Sequence, residues 1–274
     1  MKHAIGVGLF VGVAAVTLAF LALPIVGIYV HTSPEKLLDQ LSNPVVKDAF
    51  VVTLKTSLLA QAAILLFGTP TAYLLATRRF PGHSVAVTLV ELPLVLPPAV
   101  AGVGLLAALG RFGLLGSSLS ALGITLPFTQ TAVTVAVAYV ASPLYIRQAI
   151  ASFEATDPHL TAASRTLGAG PVRTFFRVVL PLARGGLIAG LALSFARGLG
   201  EFGATIMFAG SLQKVTQTLP LAIYAEFDQN FDATLAMSGV LILISALLLL
   251  TLRIGLSWQR SPSSTSPSFF GLSG

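Results

Sequence analysis

Six long apolar stretches restrict this chain more than any other feature; they run at about 5 to 30, 50 to 77, 85 to 109, 129 to 151, 185 to 210 and 233 to 256. A helix needs about 20 mostly apolar residues to cross a hydrocarbon core of about 30 Å, and each stretch is long enough. Backbone that faces lipid must satisfy its own hydrogen bonds. The stretches are too long and alternate too poorly to be barrel strands, so they are predicted to be helices. The predicted fold class is all-α: a polytopic membrane protein with about six transmembrane helices. Composition agrees, because 55% of the residues are hydrophobic and only 9% are charged, against about 25% charged in an ordinary soluble domain. No room is left for a water-soluble globular domain. The first stretch, Ile5 to Val30, exceeds the 7 to 15 residues of a signal-peptide core and has no small-residue cleavage site, so it reads as a retained helix.

Lys and Arg set the orientation. With the N-terminus in the cytoplasm, Lys2, Arg78, Arg79, Arg147, Arg165, Arg173, Arg177, Arg184, Arg253 and Arg260 fall inside, while Lys36, Lys47, Arg111 and Lys214 fall outside. This positive-inside bias, ten against four, places both termini in the cytoplasm. Lys55 and Arg197 lie within apolar stretches, and Lys55 can snorkel to the outer interface. Outside, Ser33 can cap a short interfacial helix that starts at Pro34. The formal charge of +6 is scattered through short loops rather than gathered on an aromatic-rich segment, which argues against nucleic acid. With no Cys, neither disulfides nor thiolate metal sites are available.

Two spans depart from plain lipid-facing helix. Leu92-Pro93-Leu94-Val95-Leu96-Pro97-Pro98 puts three prolines in one stretch, each of which removes a backbone donor. That span must kink or break, either to border a watery pathway or simply as a proline-kinked packing helix. In Ser194 to Thr205, Arg197 and Glu201 interrupt an apolar run four residues apart, on one helix face, with small residues including Gly203 around them. Charges at membrane depth usually face the bundle interior and find partners. The two residues can form an internal pair, line or gate a path, or do both.

The most informative stretch is the basic loop at about 152 to 184. Asp157-Pro158 is a helix start, Thr161 to Leu167 is helix-permissive, and Gly168 or Gly170 can close it in a left-handed cap. An amphipathic run containing Phe175, Phe176, Val178 and Val179 follows and is expected to end at Pro181. A surface knob of this kind suits docking into a partner's groove.

In this loop, Ala162-Ala163-Ser164, three residues, Gly168, nine residues, Val178, Val179 and Leu180-Pro181 resemble the cytoplasmic signature of ABC importer permeases: Glu-Ala-Ala, three residues, Gly, nine residues, Ile, one residue, Leu-Pro. Ala162 stands where the family has Glu. The proline-rich segment and Phe195 to Thr205 look like the branch that imports molybdate and tungstate, near the sulfate and thiosulfate permeases.

The resemblance implies a type I ABC importer permease fold in the inner or plasma membrane, working by alternating access. It implies as partners a second copy of the chain, two cytoplasmic ATPase subunits that hold ATP and Mg, an extracytoplasmic oxyanion-binding protein and the lipid bilayer. The chain itself would hold no metal or cofactor, and it lacks a Walker sequence. The ATPase-coupling residues would be Ala162, Ala163, Ser164, Arg165, Leu167, Gly168, Ala169, Gly170, Leu180 and Pro181; Pro93, Pro97, Pro98, Arg197, Glu201 and Gly203 would form the translocation path or gate. The expected division is 1–49, first helix and external segment; 50–256, permease core; and 257–274, a disordered tail rich in Ser, Pro and Gly. Rival readings are a sulfate or thiosulfate permease, one for phosphate, iron or polyamines, an autonomous channel, and a membrane enzyme. The channel has no use for the signature loop. The enzyme would need converging His, Asp or Glu residues at membrane depth, and apart from the wide pair Glu91 and Glu201 the spans supply almost none.

Overall fold

The computed structural model describes residues 2–31, 35 and 39–259, and the side chains of 9–31, 35 and 39–251 among them. Most of the interfacial helix expected from Ser33, and the tail beyond 259, lie outside the described residues. Among those described there is no strand. The elements are α1 (Lys2–His31), α2 (Pro44–Thr77), α3 (His83–Val95), α4 (Pro98–Leu109), α5 (Gly116–Ala121) and α6 (Gln130–Glu154). They continue with α7 (Pro158–Thr166), α8 (Pro171–Leu199), α9 (Gly203–Ala209), α10 (Leu219–Glu226) and α11 (Phe231–Gln259).

Prolines and caps explain why these elements begin where they do. Helix α2 starts six residues before its apolar stretch because Asn43 accepts the Val45 N–H at 2.9 Å and Pro44 occupies the first turn. Helices α2 and α8 each contain one π-helical turn, at Ile64–Gly68 and Phe175–Val179, and each turn ends two residues before a proline, Pro70 and Pro181. The wider turn accommodates the ring and the missing donor without ending the helix. The expectation that the amphipathic run stops at Pro181 is therefore corrected: α8 continues through that proline to Leu199.

Helix α6 is the central post. One face of its N-terminal half, Ala132, Val133, Ala136 and Val137, packs against Ala101 of α4 and Ala204, Phe208 and Ala209 of α9. Its C-terminal half, including Ala141, Tyr145 and Ala149, packs against Ile64 and Ala72 of α2 and Val179, Ala183 and Leu187 of α8. Small residues let α8 approach closely. A Cβ on Gly190 would sit 2.9 Å from Gln148 Cβ, and one on Gly198 would sit 2.8 Å from Val137 Cγ1. Buried hydroxyls cross-tie the bundle: Ser194 donates to Gln61 Oε1 at 2.8 Å, and Thr69 and Tyr145 share a bond of 2.6 Å.

Side-chain pairs mark the two ends of the bundle. At one end Lys55 donates to Gln130 at 2.7 Å and Gln213 to Asp48 at 3.0 Å. At the other, Arg79 lies 3.6 Å from Glu154, and Arg147 lies 3.1 Å from Glu91. Helices α3 and α4 differ in direction by 119°. Even so, the chain leaves His83 at the Glu154 end and reaches Gln130 at the Lys55 end, so this segment must traverse the bundle. It is the sixth span beside five long apolar helices.

Candidate functional site

The two unusual spans of the sequence meet. In the first, Leu96 and Pro97 each precede a proline and are driven out of the helical region, to ψ 133° and ψ 131°. Two extended residues in succession separate α3 from α4. Pro93 is buried inside α3, whereas Pro97 and Pro98 are exposed at the start of α4, which has no side-chain cap.

In the second, α8 ends at Leu199, two residues short of Glu201. The expected single helix face carrying Arg197 and Glu201 is thus corrected, and the stretch at 185 to 210 is two helices. Gly198 and Gly200 weaken the helix, and Glu201 makes a better bond outside it. Its Oε1 accepts the Ala204 N–H of α9 at 2.7 Å, and its Oε2 lies 2.9 Å from Arg197 Nη1 of α8. The carboxylate is 1% exposed and the Arg197 side chain 33%. One buried anion therefore bridges the last turn of one helix and the positive first turn of the next.

The breaks are pressed together where side chains are absent. A Cβ on Gly203 would sit 2.8 Å from Pro98 Cβ and 3.1 Å from Ala99 N; one on Gly102 would sit 2.6 Å from Ala204 O and 2.7 Å from Met207 Cβ. Of the six path residues expected, Pro98 and Gly203 touch this way, Arg197 and Glu201 pair, and Pro97 adjoins Pro98. Pro93 lies four residues back. Reading the sequence alone missed Gly102, the small-residue partner of α9, whose signal was an apolar helix start at Pro98-Ala99-Val100-Ala101-Gly102. It also missed Thr205 Oγ1 and Gln61 Nε2, buried polar atoms with no hydrogen-bond partner among the described residues. These residues give no metal-ligand set; among the described residues no three His, Asp or Glu gather.

The second part of the site is at the far end of the bundle. Helix α7 starts where Asp157 accepts the His159 N–H at 2.8 Å and ends at Gly168, whose φ of +83° is the left-handed cap. Gly170 is extended and starts α8 instead. No residue of α7 is buried. Ala162, Ala163, Arg165, Leu167, Gly168 and Gly170 are exposed, while Ser164 and Ala169 are half-buried. Leu167 is 88% exposed, a large apolar side chain at the tip of a polar helix. Ser164 and Thr174 hydroxyls, 3.1 Å apart, fasten α7 to α8. Tyr73, Phe153 and Phe175 meet edge-on or tilted, at centroid distances of 5.4, 4.8 and 6.1 Å. Leu180 packs into the inner core, and Pro181 is exposed on α8. These rings join α2, α6 and α8 to one another.

Comparison with known proteins bears on this arrangement. The family described as "Binding-protein-dependent transport system inner membrane component" matches residues 64–258. The molybdenum transport system permease protein ModB of Mycobacterium tuberculosis is 38% identical over 233 residues, 85% of this chain and 88% of that protein. The sulfate transport system permease protein CysT of Salmonella typhimurium is 36% identical over 215 residues, 78% of each. Among solved structures, a bacterial alginate ABC transporter in complex with an alginate pentasaccharide-bound periplasmic protein aligns with TM-score 0.70 over 94% of this chain and 95% of that one, at 16% identity. At that identity the likeness speaks for the fold.

Proposed function

Because the chain belongs to the family of binding-protein-dependent transport system inner membrane components, we propose that it is the membrane-spanning permease subunit of an ATP-driven importer of molybdate or tungstate. It is a multi-pass inner-membrane protein and a transport component rather than an enzyme. The observation that carries the substrate is the 38% identity to a molybdenum permease along 85% of the chain.

In this reading two copies of the chain, two cytoplasmic ATPase subunits carrying ATP and Mg, and an extracytoplasmic binding protein make up the importer, with both termini of the chain in the cytoplasm. Exposed α7, Leu167 at its tip, seats in an ATPase groove. ATP binding draws the ATPases together, and α7 passes the motion through the Tyr73, Phe153 and Phe175 rings to α2, α6 and α8. The helices rock between inward and outward openings. The anion passes the paired breaks, where Arg197 lends one-third-exposed guanidinium donors and Glu201 keeps that cation from becoming a deep trap. The uncapped start of α4 adds partial positive charge.

Uptake of labelled molybdate into vesicles holding the chain, its ATPase and its binding protein tests this. Unlabelled tungstate is expected to compete and sulfate is not. Equal competition by sulfate would move the assignment to a sulfate or thiosulfate permease, the second reading that the CysT similarity supports. Uptake without any ATPase would end the importer reading.

A further inference from the structure

An apolar groove of about 430 Å³ runs along the inner half of the bundle between α2 and α8. Leu65 and Leu66 form one wall, Phe176, Leu180 and Ile188 the other. Leu66 is 68% exposed, Phe176 59% and Ile188 50%, so no described part of the chain covers them. The polar atoms at the floor, the Thr69 and Tyr145 hydroxyls, satisfy each other at 2.6 Å. The groove itself asks for nothing but hydrocarbon.

Two arginines of α8 do not line the groove but alternate along the helix with residues that do. Leu180, Arg184 and Ile188 follow one another at four-residue spacing along one ridge of α8, and Arg177 precedes Leu180 by three. Arg177 and Arg184 are both exposed, and neither has a carboxylate or hydrogen-bond partner among the described residues. Among the described residues, no unpaired acid lies at this end of the bundle to serve them. Glu91 is held by Arg147, Glu154 by Arg79, and Asp157 caps α7. A second copy of the chain would bring the same occupied acids. Arg184 stands thirteen residues along α8 from Pro171, about 20 Å at helical rise, out of reach of a partner seated on α7.

From this juxtaposition we propose that the groove binds one anionic phospholipid, with an acyl chain along Leu66 and Ile188 and its phosphate on Arg177 and Arg184. Guanidinium groups hold phosphate oxygens through paired N–H donors, and basic pockets between membrane helices suit anionic headgroups. The inference requires only the membrane placement of α2 and α8, not the identity of the transported anion.

The test places a reporter in the groove wall. A Leu66→Trp variant in a Trp258→Phe background, reconstituted with and without its ATPase, is titrated with phosphatidylglycerol or phosphatidylcholine brominated on one acyl chain. Phosphatidylglycerol is expected to quench at lower mole fraction. Each of Arg177→Gln and Arg184→Gln is expected to reduce that preference about fivefold, and the Lys variants to retain most of it. Equal quenching by both lipids would show ordinary snorkelling and overturn the proposal. So would a preference that survives both Gln substitutions, or protection of the reporter from both lipids, which would mean that a protein covers the groove.

Discussion

At Glu201 a single carboxylate holds two helices, and this gives it more consequence than its neighbours. Removing it leaves the Arg197 guanidinium two-thirds buried without a counter-ion and the Ala204 N–H without its 2.7 Å acceptor. Losing one partner of a buried pair destabilises by about 3–5 kcal/mol, and partial exposure of Arg197 moves the expectation for Glu201→Ala to the lower end. The measurement is thermal unfolding of the purified chain in detergent. Glu201→Gln retains an acceptor for Ala204 and should lose less; equal losses would mean that the helix-start bond contributes nothing. The sequence displayed both charges and their spacing. It could not show that the helix ends between them, because a four-residue spacing fits an unbroken helix equally well, and the backbone N–H that makes the break favourable belongs to the following helix.

Among the elements, α7 and the α4–α9 contact behave in opposite ways. Helix α7 was legible except for which of Gly168 and Gly170 closes it, since its cap, its proline and its glycines are local signals. Gly168 has φ +83° and open space around it, so Gly168→Val strains only the backbone, by about 1–2 kcal/mol. Substrate-stimulated ATPase activity of the assembled transporter is expected to fall while membrane insertion is unchanged; Gly168→Asn, which tolerates that conformation, should retain activity. Activity in the Val variant equal to wild type would remove α7 geometry from the coupling account. Gly203 and Gly102 are the reverse case: their conformations are ordinary and their surroundings are full. Gly203→Leu must push α9 off Pro98, so uptake should drop together with thermal stability. Nothing near Gly203 in the sequence names Pro98, more than a hundred residues earlier, as the surface it meets. The prolines at 70 and 181 teach a related lesson, because a π-helical turn lets a helix continue where the local rule predicts an end.

For the whole molecule, six crossings put the α4–α6 connection and α7 on opposite sides of the membrane. The chain has no Cys, so single cysteines report this directly. A thiol at Ser118 should react with an impermeant reagent from outside intact cells, and one at Thr166 only after the membrane is opened. The reverse pattern would invert the orientation on which the proposed coupling role of α7 depends. What the sequence determined alone is the presence of about six spans, their helical nature and the form of the exposed basic helix. Each follows from transfer of side chains and backbone between water and hydrocarbon, or from caps within a few residues. Tertiary structure alone decided that the proline break and the glycine break lie against each other, that Glu201 bridges two helices, and that an apolar groove opens between α2 and α8. Those outcomes depend on how closely distant backbones can approach, and inside a uniformly apolar bundle that is set by shape, which hydropathy does not encode.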